Sequence, residues 1–130
     1  TLVWTGLRWH VRGWCEKNQD YRDFVLSRFR GEPEVLDASD HTGASDDDWH
    51  TLVTIEIAPD PRLTADQQAV VAHDYGMTDG KWQLSVRARL LSYLLQLLRL
   101  DPTQVMEDPR AQQIVIVNQG DVKAWLFPSG

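Results

Sequence analysis

The chain has 130 residues, 42% apolar and 25% charged, with one cysteine and a formal net charge of −6. That composition fits one compact domain or two very small ones, and it excludes both a chain disordered throughout and a disulfide scaffold. A generally basic nucleic-acid binder is excluded by the charge, and a membrane-spanning helix by the longest apolar run, LLSYLLQLL, which falls well short of the roughly 20 residues a bilayer requires.

The single thiol, Cys15, fits a reducing compartment, and the reading is a cytoplasmic chain. Charge becomes informative once the chain is divided. Residues 1–31 hold six basic and three acidic side chains, residues 32–60 none and nine, and residues 61–130 seven of each. A basic module is therefore hidden inside an acidic average.

In chain order, residues 7–15 alternate, with Leu7, Trp9, Val11, Gly13 and Cys15 on one face and Arg8, His10, Arg12 and Trp14 on the other. Period two predicts a half-buried strand with the first set inward. EKNQD supplies turn residues, and YRDFVLSRFR follows as an aromatic and β-branched run, so the two segments predict an antiparallel hairpin ended by Gly31, Glu32 and Pro33. DASDHTGASDDDW is polar and acidic without apolar periodicity, which marks a linker. The predicted division is residues 1–36, an acidic linker at 37–50, and a second domain at 51–130.

Beyond the linker, Val53, Ile55 and Ile57 alternate with Thr54 and Glu56 as a strand. Thr64 and Gln67 have the spacing of a capping box, and Gly76 stands where a helix ends, which predicts a helix of about eleven residues. Asp79-Gly80 predicts a hairpin between a short GMT segment and a strand carrying Trp82, Leu84 and Val86. Leu91, Leu94, Leu95 and Leu98 recur at helical spacing before Pro102, while Leu90, Leu97 and Leu100 fall outside that stripe and suggest a second buried surface. IVIV reads as a buried strand, with VKAWLF as a further candidate strand. The order β, α, β, β, α, β is that of a ferredoxin-like sheet with both helices on one face.

Trp9-His10-Val11, followed by Arg22-x-Phe24-x-Leu26-x-Arg28, resembles the two motifs of the WYL domain of bacterial transcriptional regulators. The resemblance implies an α+β chain, with part of an Sm/SH3-like small β-barrel (WYL) followed by a ferredoxin-like βαββαβ extension (WCX). It is similar above all to regulators encoded beside phage-defence operons, in which an N-terminal winged helix-turn-helix binds promoter DNA as a dimer. A complete barrel needs about five strands, where this stretch has room for three, so the expectation is a fragment of a longer protein.

Arg22 and Arg28 are six apart and would share one side of a flat strand, where their planar forks suit bidentate phosphate or carboxylate recognition. Arg12 and His10 share a face of the neighbouring strand. In the expected register these four converge on one anion, with Trp9, Trp14 or Tyr21 available to stack a base. The candidate ligand-binding set is Trp9, His10, Arg12, Tyr21, Arg22 and Arg28. The competing reading leaves the arginines solvated or paired with Asp20, Asp23 and the acidic linker. His10 and Trp9 have competing roles as a structural histidine and a core aromatic.

Cys15 and His10 do not read as a nucleophile and base, because opposite parity on one strand points them to opposite faces. His41, Asp46, Asp47, Asp48 and His50 include metal-capable groups without a recognised ligand spacing. No Walker glycine loop, G-x-S-x-G or H-E-x-x-H is present. The expectation is a non-enzymatic, cofactor-free homodimer that senses a nucleotide or short single-stranded nucleic acid, meets promoter DNA only through an N-terminal domain, and does not engage a membrane. The alternative is a protein-interaction or oligomerisation module with no small effector.

Overall fold

The structure is a computed structural model that describes residues 1–102 and 106–126. It is mixed α and β, and it divides into two compact units, Thr1–Thr51 and Leu52–Gly130.

In the first unit, β1 (Leu2–Trp4), β2 (Trp9–Cys15) and β3 (Asp20–Val25) form an antiparallel meander in that order. The hairpin predicted from the EKNQD turn is present, with Gly13 opposite Arg22 and Arg12 opposite Asp23. Its second arm is shorter than expected, because the chain leaves the sheet at Val25 for a 3-10 turn over Leu26–Arg28.

The face assignment is reversed. Val3, His10 and Arg12 are buried, whereas Trp9, expected inward, is 45% exposed, and Leu2, Trp4 and Phe24 lie open on the same face. Period two identifies a strand without saying which face is covered. Here the cover is the acidic segment read as a linker. It forms a 3-10 turn at Gly43–Ser45 and a short helix α1 (Asp47–His50), and Asp46 ahead of that helix is itself buried.

In the second unit the chain order is β4 (Leu52–Pro59), α2 (Ala65–Asp74), β5 (Trp82–Arg87), α3 (Leu91–Leu98), β6 (Ile114–Ile116) and α4 (Gln119–Leu126). The strands are antiparallel in the order β5-β4-β6. The capping box closes in both directions: Gln67 N–H donates to Thr64 Oγ1 at 3.2 Å and Thr64 N–H to Gln67 Oε1 at 3.0 Å. Gly76, at φ 64°, follows the helix where left-handed backbone is needed. Asp79 and Gly80 also take positive φ, giving the predicted reversal, but the GMT side contributes only a single bridge, Thr78 to Lys81.

Val53, Ile55 and Ile57 point to the core, as their alternation predicts, and meet Val71 of α2 and Leu91 and Leu95 of α3. Leu100 joins that core, and Leu97 is left half exposed.

Residues 122–126 of VKAWLF are helical, not extended, and Phe127 lies outside the described residues. Val122 and Leu126 are four apart, and Val122 is completely buried in the same core, so the segment turns as α4. Asn118 anchors its start. The Asn118 side chain prolongs the sheet ladder, its Oδ1 accepting from Glu56 N–H at 2.9 Å and its Nδ2 donating to Thr54 O at 2.8 Å. Among the described residues no helix is long and apolar enough to cross a membrane.

Candidate functional site

The pairing register decides what the basic strands can do together. Residues directly opposite one another in an antiparallel pair share a face. Arg22 lies opposite Gly13 and Tyr21 opposite Trp14, so Tyr21 shares the covered face with His10, Arg12 and Trp14, while Arg22 shares the open face with Trp9. Arg28 is beyond the strand, at the end of the 3-10 turn. The six predicted site residues therefore do not form one pocket. The flat-strand argument placing Arg22 beside Arg28 fails because the strand ends between them, and convergence of Arg22 with Arg12 fails on parity.

Arg12 is 4% exposed and already holds an anion from its own chain. Its Nε donates to Asp46 Oδ2 at 2.6 Å and its Nη2 to Asp46 Oδ1 at 2.9 Å, a two-pronged arrangement across 34 residues of sequence. Its Nη1 reaches Asp23 Oδ1 on the adjacent strand at 3.3 Å. Burial by itself would lower the Arg12 pKa. Its hydrogen bonds to Asp46 and the charge of Asp23 outweigh it, so the guanidinium is held above its ordinary value.

Two further contacts fasten the acidic segment to the same face. The His41 ring lies on Trp14 with centroids 3.6 Å apart and planes 6° from parallel. Tyr21 Oη donates to Thr42 O at 2.7 Å and is 2.6 Å from Ser45 Oγ. His50, another member of the metal-capable group, places Nε2 2.8 Å from Gly43 O. Among the described residues no group of three or more His, Cys, Asp or Glu side chains is placed to hold a metal ion.

The competing reading, with arginines paired to Asp23 and the acidic segment, holds for Arg12, but sequence reasoning singled out neither Asp46 as that partner nor His41 as the ring on Trp14. Asp46 had one local signal, its position three residues before Trp49, whose N–H approaches the Asp46 carboxylate as at a helix N-cap. Nothing local could have paired His41 with Trp14.

The open face offers different chemistry. Trp4 and Trp9 lie with ring centroids 5.3 Å apart, Leu2 and Phe24 flank Val11 in register, and Arg22 is solvent-accessible.

The pattern of the family described as BrxR transcriptional regulator, C-terminal dimerization domain, matches residues 52–122. The chain is 38% identical to the DNA-binding transcriptional repressor CapW of Stenotrophomonas maltophilia over 96% of its own length and 42% of the relative's. It is 36% identical to CapW of Escherichia coli over 97% of its length, again 42% of the relative, and 35% identical to CapW of Pseudomonas aeruginosa over 94% of its length and 40% of the relative. It thus spans about two fifths of the length of these relatives. The match upholds the resemblance to WYL/WCX-type regulators drawn from Trp9-His10-Val11 and the arginine-phenylalanine motif, and the chain belongs to the BrxR family of transcriptional regulators, with the family's C-terminal dimerization domain at residues 52–122.

Proposed function

We propose that this chain is the pairing and sensing region of a transcriptional repressor. The second unit holds two copies together, and the first receives an anionic, nucleotide-like or single-stranded nucleic-acid effector. The match of residues 52–122 to a dimerization domain carries the first half of this reading. The CapW relatives are DNA-binding transcriptional repressors, which supports the repressor role, and on the resemblance to WYL regulators we assign DNA contact to an N-terminal helix-turn-helix domain.

We read the first unit as the C-terminal part of a WYL small barrel and the second as a ferredoxin-like WCX extension. The antiparallel order β5-β4-β6, with a bridge at Thr78–Lys81 where the remaining strand would lie, supports the latter.

The effector seat that best fits the geometry is the covered face, where His10, Arg12, Trp14 and Tyr21 stand together on β2 and β3. Arg12 offers a charged fork for phosphate, Tyr21 a hydroxyl, and Trp14 a stacking plane. Trp9, Arg22 and Arg28 stand outside it. An effector acts on repression only by binding two dimer geometries unequally.

Two measurements test this reading. Sedimentation equilibrium is expected to give a dimer, and Leu97→Glu, on the exposed side of α3, is expected to weaken it at least tenfold. A labelled hexadeoxynucleotide is expected to bind with an affinity that falls as salt rises. The double variant Arg22→Ala and Arg28→Ala is expected to cost less than threefold in that affinity. A tenfold loss would move the seat to the open face.

The runner-up is an interaction module with no small effector. It is favoured by the neutralisation of Arg12 within the chain and by the open aromatic face of Trp4, Trp9 and Phe24. Absence of any nucleotide or oligonucleotide binding, with the dimer intact, would establish it.

A further inference from the structure

The acidic segment does more than neutralise a buried arginine. Along β2, Arg12 and Trp14 are two residues apart on one face, with Cα atoms about 7 Å apart at the rise of a strand. The segment meets them with two different groups. On Trp14 it lays the flat nitrogen heterocycle of His41, nearly parallel and in stacking contact. On Arg12 it sets the two carboxylate oxygens of Asp46. Between these positions in sequence, the Thr42 carbonyl accepts from the Tyr21 hydroxyl. A stacked heterocycle, an acceptor oxygen and a bidentate anion, set on side chains of one sheet face, are what a nucleoside phosphate would present to the same three side chains. The Trp14 indole N–H, buried and making no hydrogen bond, remains a donor that the segment does not use.

We infer that His41 to Asp46 form an intramolecular stand-in for a nucleotide, so that an effector binds the first unit by displacing this segment from Trp14 and Arg12. The inference rests on the effector reading above. It adds that the seat is occupied in the unliganded chain and that the chain's own carboxylate and imidazole compete for it. The shared chemistry is a base joined to a phosphate, from a free nucleotide or from a single strand.

Occupancy has a direct consequence for affinity. A ligand that must evict a bound segment binds more weakly by the fraction of time the seat is open, and loosening the segment restores that factor. His41→Ala removes the stacked ring while leaving the buried ion pair in place. Removal of a side chain able to carry positive charge does not by itself raise affinity for a polyanion. A gain in this variant therefore reports release of the seat.

The test compares the parent chain, His41→Ala and Asp46→Asn for binding of fluorescein-labelled hexadeoxyadenylate by anisotropy, with adenosine monophosphate as competitor and circular dichroism as the check on folding. His41→Ala is expected to bind at least fivefold tighter than the parent. In the parent, saturating oligonucleotide is expected to remove the upfield ring-current shift that Trp14 imposes on the His41 ring protons. Competition by adenosine monophosphate would identify the free nucleotide as sufficient, and a gain confined to the oligonucleotide would identify a single strand. Should Asp46→Asn fail to fold, His41→Ala decides alone. Equal affinity in parent and His41→Ala, with the His41 resonances unmoved, overturns the displacement while leaving effector binding intact. No binding to any of the three chains overturns the effector reading itself.

Discussion

The two units of this chain are held together by opposite means. Leu52–Gly130 is built on aliphatic burial, with Ile55, Ile57, Leu91, Ile114 and Val122 almost entirely out of water. Thr1–Thr51 buries Val3 beside His10, Arg12 and Asp46, and leaves Leu2, Trp4 and Trp9 exposed. An apolar core is non-directional and tolerates exchange of one hydrocarbon for another. A buried ion pair is directional, and removing one partner strands the other. The second unit should therefore tolerate exchange of one hydrocarbon for another, whereas the first depends on one directional pair.

The sharpest way to break the comparison is to remove the anion on which the first unit depends. Asp46→Ala leaves Arg12 buried with only Asp23 and is expected to cost about 3–5 kcal/mol. Calorimetry should show this as loss of one transition while that of the second unit stays within a few degrees. Equal movement of both transitions would mean that the units do not differ as described. Ile57→Ala in the second unit is expected to cost about 2–5 kcal/mol from transfer and cavity terms. The affected transition should be the one that Asp46→Ala spares. Thr64→Ala removes the side-chain acceptor of the α2 capping box and should cost about 1 kcal/mol, seen as a lower urea midpoint with an unchanged slope.

The smallest effect is on acid sensitivity. Asp60 is buried and receives hydrogen bonds from the Arg62 guanidinium and backbone N–H, which hold its pKa below the ordinary carboxylate value. A carboxyl whose folded pKa is depressed stabilises the fold above its unfolded pKa, about 3.9, and that contribution disappears as pH falls through the folded value. The second unit should therefore lose stability below about pH 4, and Asp60→Asn should flatten that slope. An unchanged slope in the variant would assign the acid sensitivity to other carboxyls.

Most local structure was legible in the sequence. The Thr64–Gln67 box, the Gly76 stop, the Asp79-Gly80 reversal and the inward set Val53, Ile55 and Ile57 all depend on signals within a few residues of one another, and all are present. VKAWLF was misread because a short apolar run carries too little periodicity to separate strand from helix, and burial of Val122 decided it.

The candidate site was legible only in composition. Its residue types were visible, but parity and strand length separate Arg22 and Arg28 from Arg12, and the choice of buried face was made by Asp46 from far along the chain. Asp23 and the acidic segment could be named as counter-charges, but which arginine meets which aspartate is a tertiary fact.

Asn118 ends β6 by lending the sheet its side-chain amide, which bonds the carbonyl of Thr54 and the N–H of Glu56 much as a backbone peptide would. The first turn of α4 is in this way riveted to the middle strand, with no intervening loop to absorb motion. A load on that helix would pass to β4 through these two hydrogen bonds, so the start of α4 and the middle strand are expected to move together.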